Sequence, residues 1–541
     1  MSFPQSILEA LEASRHGGVR LAGGAGEGRR SYGELAARAR RLAGGLAAAG
    51  VGRGDRALLV LPTGQAFVDA FFGCSLAGTI PCQLSPPEGF GSARAFRARL
   101  AGLARQVGAA CAIAEAQLHA AIAEAAPELR LLDPTELVTA PEVPPVRPAP
   151  ADPAFVQFTS GTTRTPRGVV VSQKALAANT EQIGRATGMR SEETVVVSWL
   201  PMFHDMGLVG WLVSLFNDTE VVLSPPRSFL RRPVSWLRTI SEWRGTHSPA
   251  PTFAYGYAAS RVRDRELEGL DLSSWRTAFV GAEPIPADVL RTFAARFAPY
   301  GLAPETLLPC YGMAEATLAL TFCPDDWPWN SVLVSRRALQ AGHARPPDGE
   351  DDALEVVSCG VPLDPTEVWV EDAAGHRLGD DEVGEVWVRG PSLFSGYWGE
   401  APRDPTAPFA TGDLGFVRKG ELYVAGRKKD LLILRGENHH PEEVEWAAAR
   451  VPGVRMGRCA AFTVPDPATG DERLCLLVEA ERRALLAPAE LEVAIRRRVH
   501  EECGLAVEDL RLVGPGGVPV TTSGKVRRAA ARARFLGEEP E

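Results

Sequence analysis

One stretch constrains this chain more than any other: Phe158-Thr159-Ser160-Gly161-Thr162-Thr163-Arg164-Thr165-Pro166-Arg167-Gly168. Apolar runs at 154–158 and 169–171 flank it, so it reads as strand–loop–strand. Thr159, Ser160, Gly161, Thr162 and Thr163 offer hydroxyl donors and unencumbered backbone N–H groups, the equipment for wrapping a polyphosphate. Arg164 and Arg167 add positive charge, and Pro166 stiffens the turn. A Walker A loop opens a helix and ends in Gly-Lys-Ser/Thr, and with proline at position 166 this loop is not one. A polar hairpin loop has the same composition. The loop's own residues do not separate the two readings.

Length and composition narrow the field. At 541 residues the chain exceeds one ordinary core, which predicts two or three domains. Hydrophobic residues at 45% and charged residues at 23% exclude global disorder, and a net charge of −9 argues against a general nucleic-acid binder. Nine scattered cysteines, an odd number with no C-x-x-C pair, suit a reducing cytoplasm better than a disulfide framework or a structural zinc site. The start of the chain lacks the basic-then-apolar pattern of a signal peptide. The most membrane-like window, 194–216, carries His204 and Asp205 at its middle, so a buried segment is expected there and no transmembrane one.

Strand and helix patterns alternate along most of the chain. Ser31-Tyr32-Gly33-Glu34 is a capping box that opens a helix running to about Ala49. A strand at 57–61, a helix at 65–76 and a strand at 79–82 follow, the pattern of an α/β layer with parallel strands. A proline-rich connector at 138–153 leads into the loop. Further strands are expected at 194–199, 220–223, 277–280 and 307–309, with helices at 234–244 and 287–297 between them. After about Val361 the pattern changes to turn-punctuated, antiparallel-type strands at 368–370, 384–388 and 422–424. Beyond Asp430 lies a compact α/β segment of helix, strand, strand and helix, ending in a basic tail at 527–534 that reads as a solvated helix.

Five islands carry more functional residue types than structure requires. His204 and Asp205 sit inside an apolar run, where a satisfied core histidine is the bland alternative. Gly281-Ala282-Glu283-Pro284 ends a strand, at the edge where open α/β sheets bind ligands, although an ordinary turn looks the same. Tyr311-Gly312-Met313 with Glu315 offers an aromatic to stack on a base and a carboxylate for Mg²⁺. Thr411-Gly412-Asp413 places a carboxylate on a turn, able to accept both hydroxyls of a ribose. Lys525 follows Gly524 on a Gly/Ser/Thr loop, where most lysines are simply solvated.

In this order and spacing the islands resemble the adenylate-forming superfamily, over nearly the whole chain, from about Ser31 to Arg528. Within it the likeness is greatest to the fatty acyl-AMP ligases. It is carried by Thr159 to Pro166, by Trp199-Leu200-Pro201-Met202-Phe203-His204-Asp205-Met206-Gly207-Leu208, and by Tyr311 to Leu318. Lys429-Asp430-Leu431-Leu432-Ile433 and the run from Gly436 to Glu445 extend it. The commoner CoA synthetases have glycine at position 164 and lysine at 167, where this chain has two arginines. The long stretch 322–359 resembles the ligases' characteristic insertion, which in that family obstructs the domain closure CoA needs; an ordinary surface loop is the alternative.

The resemblance implies an α/β fold. A large domain, residues 1–428, has α/β layers plus a small distorted β-barrel, and a small mobile α/β domain, residues 429–541, turns at Lys429. It implies ATP and Mg²⁺ as cofactors and a fatty acid as substrate. It also implies an acyl carrier protein or synthase carrier domain in trans as acceptor, since the chain holds no Asp-Ser-Leu type attachment site. Lys525, His204 and Glu315 become catalytic candidates, Glu315 through Mg²⁺. The 159–163 residues take the phosphates; Gly281, Ala282, Glu283, Pro284 and Tyr311 hold adenine, with Gly312 and Met313 also in the nucleotide site; Asp413 holds the ribose, and Arg427 the ribose or phosphate. A CoA ligase and an inactive adenylate-binding homologue are the competing readings.

Overall fold

The capping box at Ser31 forms as its spacing predicts. The Ser31 hydroxyl accepts from the Glu34 N–H, the Glu34 carboxylate accepts from the Ser31 N–H, and the helix runs Tyr32–Ala48. It packs on the helix Gln65–Ala77, where Gly73 lets the Leu42 side chain lie directly on the backbone. These details come from a computed structural model, which describes residues 2–22, 28–87, 93–159, 166–324, 328–434, 437–465, 472–521 and 524–538.

Two large sheets organise the first part of the chain. A six-stranded sheet runs Arg130–Leu132, Cys111–Ala114, Arg56–Val60, Ile80–Gln83, Pro153–Phe158, Gly168–Ser172, parallel throughout except for its last pair. A nine-stranded sheet has a parallel centre that includes Val195–Ser198, Glu220–Leu223, His247–Pro251, Thr277–Gly281 and Leu307–Gly312, with antiparallel strands at both edges. Helices Gln65–Ala77, Gln173–Ala186 and Asp205–Phe216 fill an apolar layer shared by the two sheets, in which Phe71 meets Trp211 edge-on at 5.6 Å. Separate apolar clusters build on Val197, Val222 and Val280 of the larger sheet and on Leu58, Cys82 and Val156 of the smaller. Strands covered on both faces need unbroken apolar runs, which is why they were readable as such.

The later strands form a four-stranded antiparallel layer, Glu367–Glu371, Gly384–Arg389, Phe409–Arg418 and Glu421–Arg427. Asp413 therefore lies within a strand, not on the turn expected for it. Gly412, at φ +79, and Gly415, pressed against the Tyr423 carbonyl, interrupt the alternation that would have disclosed the strand. The stretch 322–359 is not a bare surface loop. It contains the hairpin Ser331–Ser335/Ala353–Val357 and the helix Arg336–Gln340, with Val334, Leu339 and Val356 buried. Bridges from His343 to Glu382 and from Ser358 to Tyr423 fasten it to the antiparallel layer.

The last part of the chain has its own apolar cores around the sheet Val454–Pro465, Glu472–Ala480, Asp509–Val513. The final helix, Arg528–Leu536, departs from the solvated tail expected. Ala531 and Phe535 are buried, and the Arg528 guanidinium ion-pairs with Asp430 (2.6 Å), Glu442 (2.8 Å) and Glu445 (2.7 Å). Contacts with the larger part run through Arg450–Asp288 at 3.1 Å, Arg261–Glu481, Arg336–Glu443, and Trp446 packed on the large domain's core. Among the described residues no helix is long and apolar enough to cross a membrane.

Candidate active site

A cavity of about 2780 Å³ opens where the two large sheets, the antiparallel layer and the small domain converge. Thr159, His204, Ala282, Glu283, Tyr311, Gly312, Met313, Glu315, Arg427 and Lys525 all line it, although they are spread over more than 360 residues of sequence. Gly281 and Pro284 are not in its wall. Asp413 stands just behind, joined to the wall by its hydrogen bonds. Ser160, Gly161, Thr162, Thr163 and Arg164 lie outside the described residues.

The strand pair Pro153–Phe158/Gly168–Ser172 positions the phosphate-loop candidate. The Thr159 N–H donates to the Arg167 carbonyl at 2.9 Å and the Arg167 N–H donates to the Thr159 hydroxyl at 3.1 Å, closing the neck of the loop. The Arg167 guanidinium does not present an uncommitted charge. Its Nη2 donates to both Glu400 oxygens, at 2.8 and 3.0 Å, and its Cζ lies 3.2 Å from the Tyr397 ring centroid.

Two glycines in the islands are there for close approach. A Cβ at Gly312 would fall 1.9 Å from the Leu318 carbonyl oxygen, and one at Gly207 would fall 2.1 Å from that of Pro201. The first folds Tyr311 to Glu315 tightly back at the end of its strand. The second lets His204 cap the helix Asp205–Phe216, with Asp205 in its first turn.

Burial dominates the electrostatics. Asp413 is buried; its Oδ2 accepts from the Tyr311 hydroxyl at 2.6 Å and its Oδ1 from Arg427 Nε at 3.1 Å. Burial raises its pKa, with Arg427 and Tyr311 pulling the other way. Glu315 is also raised by burial, opposed by the Tyr397 hydroxyl, which donates to its Oε1 at 2.8 Å. Glu283 accepts from the Phe253 N–H, and burial pushes its pKa up to about 6. Lys525 is half-buried, and loss of solvent lowers its pKa; Asp205 opposes that, Arg427 adds to it, and Glu283 and Asp413 oppose it further. Its loop is held by Thr521, whose Oγ1 accepts from the Lys525 N–H at 3.0 Å, and by Arg458, which donates to the Gly524 carbonyl at 3.0 Å.

The polar end of the cavity adjoins an apolar arm that sequence reasoning did not find. Met206, Gly210 and Val213 face it from one side of the helix Asp205–Phe216, and Ile183, Phe279 and Phe322 complete its wall. The i, i+4, i+7 spacing of the first three was a visible signal, but it is identical to that of a core stripe. Tyr397 was also missed, because nothing local marks it.

Apolar side chains, a lysine and several carboxylates in one cavity can take an apolar acid beside a nucleotide. A family model described as AMP-binding enzyme matches residues 12–398. A medium-chain-fatty-acid–[acyl-carrier-protein] ligase, JamA of Moorena producens, is 34% identical over 94% of this chain and 90% of its own length. This chain belongs to the fatty acyl-AMP ligases, within the AMP-binding enzymes. The long-chain-fatty-acid–AMP ligase FadD26 of Mycobacterium marinum is likewise 34% identical, over 90% of this chain and 88% of its own. A solved structure from work on the fatty acyl-adenylate ligases of E. coli and L. pneumophila superposes with a TM-score of 0.91, at 34% identity and 98% coverage of both chains. A fatty acyl-adenylate ligase from L. pneumophila, solved with acyl adenylate and pyrophosphate, superposes at 0.75, with 30% identity over 98% of this chain and 96% of that one. As a fatty acyl-AMP ligase, the enzyme joins a fatty acid to AMP.

Proposed function

We propose that this ligase activates a fatty acid with ATP, releasing pyrophosphate, and then passes the acyl group to the phosphopantetheine thiol of an acyl carrier protein or synthase carrier domain. The observation that carries the reading is one cavity lined by an apolar arm and, at its polar end, by the small domain's Lys525 together with Asp205 and Glu283 of the large one. In the first step a carboxylate oxygen attacks the α-phosphorus and the bond to the β-phosphate oxygen breaks. An anion attacks a polyanion, so the site must supply positive charge where it is needed. Lys525, a compact ammonium, bridges carboxylate and α-phosphate. His204 sits beside the carboxylate at a helix N-terminus, where backbone dipoles favour an anion. Asp413, oriented by Tyr311 and Arg427, takes the ribose hydroxyls. Ala282, Glu283, Gly312 and Met313 line the adenine side, with Gly281 and Pro284 shaping the turn.

Glu315 suits Mg²⁺. Its carboxylate, held at Oε1 by the Tyr397 hydroxyl, offers hard oxygen to a cation. Among the described residues no three His, Cys, Asp or Glu side chains cluster as a complete metal site. Glu315 would hold Mg²⁺ there, and the ion would supply positive charge beside the leaving pyrophosphate.

The domains divide at residues 428/429, and rotation about Lys429 withdraws Lys525 before the thiol arrives. A carrier acceptor is supported by the name of the Moorena relative, by arginine in place of glycine at position 164, and by the 331–357 hairpin braced on the small domain through Arg336 and Glu443. Nine free cysteines are consistent with a cytoplasmic setting. The test is ATP–pyrophosphate exchange with acids of graded length, followed by transfer to carrier protein or to CoA. No exchange at any length overturns the first step; faster transfer to CoA overturns the acceptor.

A further inference from the structure

We propose that Tyr397 is a positioning residue that couples the neck of the phosphate loop, at Thr159 and Arg167, to Glu315, and that Arg167 acts through Tyr397 rather than on phosphate. This rests on the reading of Glu315 as the cation-binding carboxylate. The segment bearing Tyr397 is zipped onto the strand that leaves the phosphate loop. Ser395 N–H donates to the Val170 carbonyl at 2.9 Å, Val170 N–H to that of Gly396 at 3.0 Å, and Trp398 N–H to that of Gly168 at 2.7 Å. At its other end the Phe394 N–H donates to the Glu315 backbone carbonyl at 2.9 Å. The same short segment therefore grips the loop's exit strand and the backbone of the metal-site candidate.

The side chains repeat the connection. The Tyr397 hydroxyl donates to Glu315 Oε1 at 2.8 Å, while Arg167 stacks 3.2 Å from the ring centroid and is held there by Glu400. A carboxylate facing a triphosphate is repelled unless a cation lies between them, and a freely rotating one presents its oxygens to that cation only part of the time. The phenol's hold on Oε1 fixes the plane of the carboxylate and so the direction in which it can meet the cation. Arg167 keeps the ring in place by cation–π contact and ties it to the neck of the loop.

The test uses the full chain and titrates Mg²⁺ while ATP binding is followed calorimetrically, without fatty acid. Tyr397→Phe keeps the ring and its stack and loses only the hydroxyl. The Mg²⁺ concentration for half-maximal ATP binding is expected to rise about 10- to 100-fold, the worth of one hydrogen bond to a charged group. Binding of acyl-adenylate, which involves no pyrophosphate, is expected to stay within about twofold of the parent, well under the tenfold that one such bond commands. Arg167→Gln shifts the Mg²⁺ midpoint the same way, and the double variant shifts no further than Tyr397→Phe alone. An unmoved midpoint in Tyr397→Phe overturns the proposal, as does an additive double variant, or a parallel loss of acyl-adenylate binding that marks a merely structural role. Glu315→Gln separates the layers. If it too leaves the midpoint unmoved, the reading of Glu315 falls and takes the proposal with it; if it shifts the midpoint and Tyr397→Phe does not, the coupling alone is wrong.

Discussion

Glu283→Gln should make this enzyme more stable at high pH and leave it unchanged in acid. The Glu283 carboxyl stands just beyond the central strand Thr277–Gly281, accepts from the Phe253 N–H, and is pushed by burial to a pKa of about 6, with that N–H, Lys525 and Arg458 pulling it back. Glutamine keeps the shape and an acceptor oxygen and removes the charge. Because the folded pKa lies above the ordinary 4.5, the folded protein binds this proton more tightly than the unfolded chain does. The carboxyl therefore contributes stability below pH 4.5 that is lost as the pH rises through 6. Between an ordinary 4.5 and about 6, at 1.36 kcal/mol per pH unit, this is about 2 kcal/mol. Urea unfolding of the ligand-free protein should show the variant ahead by about that much at pH 8, and by only a few tenths of a kcal/mol at pH 4.5. An advantage of equal size at both pH values, or a parent more stable at pH 8, refutes burial as the origin of the shift.

Lys525→Ala should lower pyrophosphate exchange by about 10²-fold or more while ATP still binds in a calorimeter; normal exchange would show the lysine is misassigned. A Cβ at Gly210 has only the Pro249 ring within ordinary contact, at 3.8 Å, so Gly210→Leu can fold with its side chain in the apolar arm. An acid panel should then shift towards shorter chains. Arg336→Ala leaves the Glu443 carboxylate, whose pKa burial already raises, without its guanidinium. Trypsin cleavage around Lys428 and Lys429 should accelerate by about tenfold or more as the small domain loosens.

Local rules made most of the scaffold legible. The Ser31–Glu34 box, the helix Ala287–Phe297 and the strand Glu220–Leu223 appear where their patterns placed them, because each is decided by neighbours a few residues away. The strand Phe409–Arg418 escaped because two glycines break its alternation and its partners supply the register. The site was legible as islands but not as a site. That Glu315 answers to Tyr397, 82 residues on, or that Arg167 is held by Glu400, 233 residues away, depends on tertiary packing no local spacing encodes.

Lys525 has a second consequence. Asp205, Glu283 and Asp413, three acids of the other domain, each favour the charged form of its amine. A swing that carries the ammonium away leaves those acids facing an adenylate with less to balance them. On the proposed rotation, the movement that admits the thiol would also loosen the hold on the nucleotide, so that arrival of the second substrate and departure of AMP would be worked by one electrostatic lever.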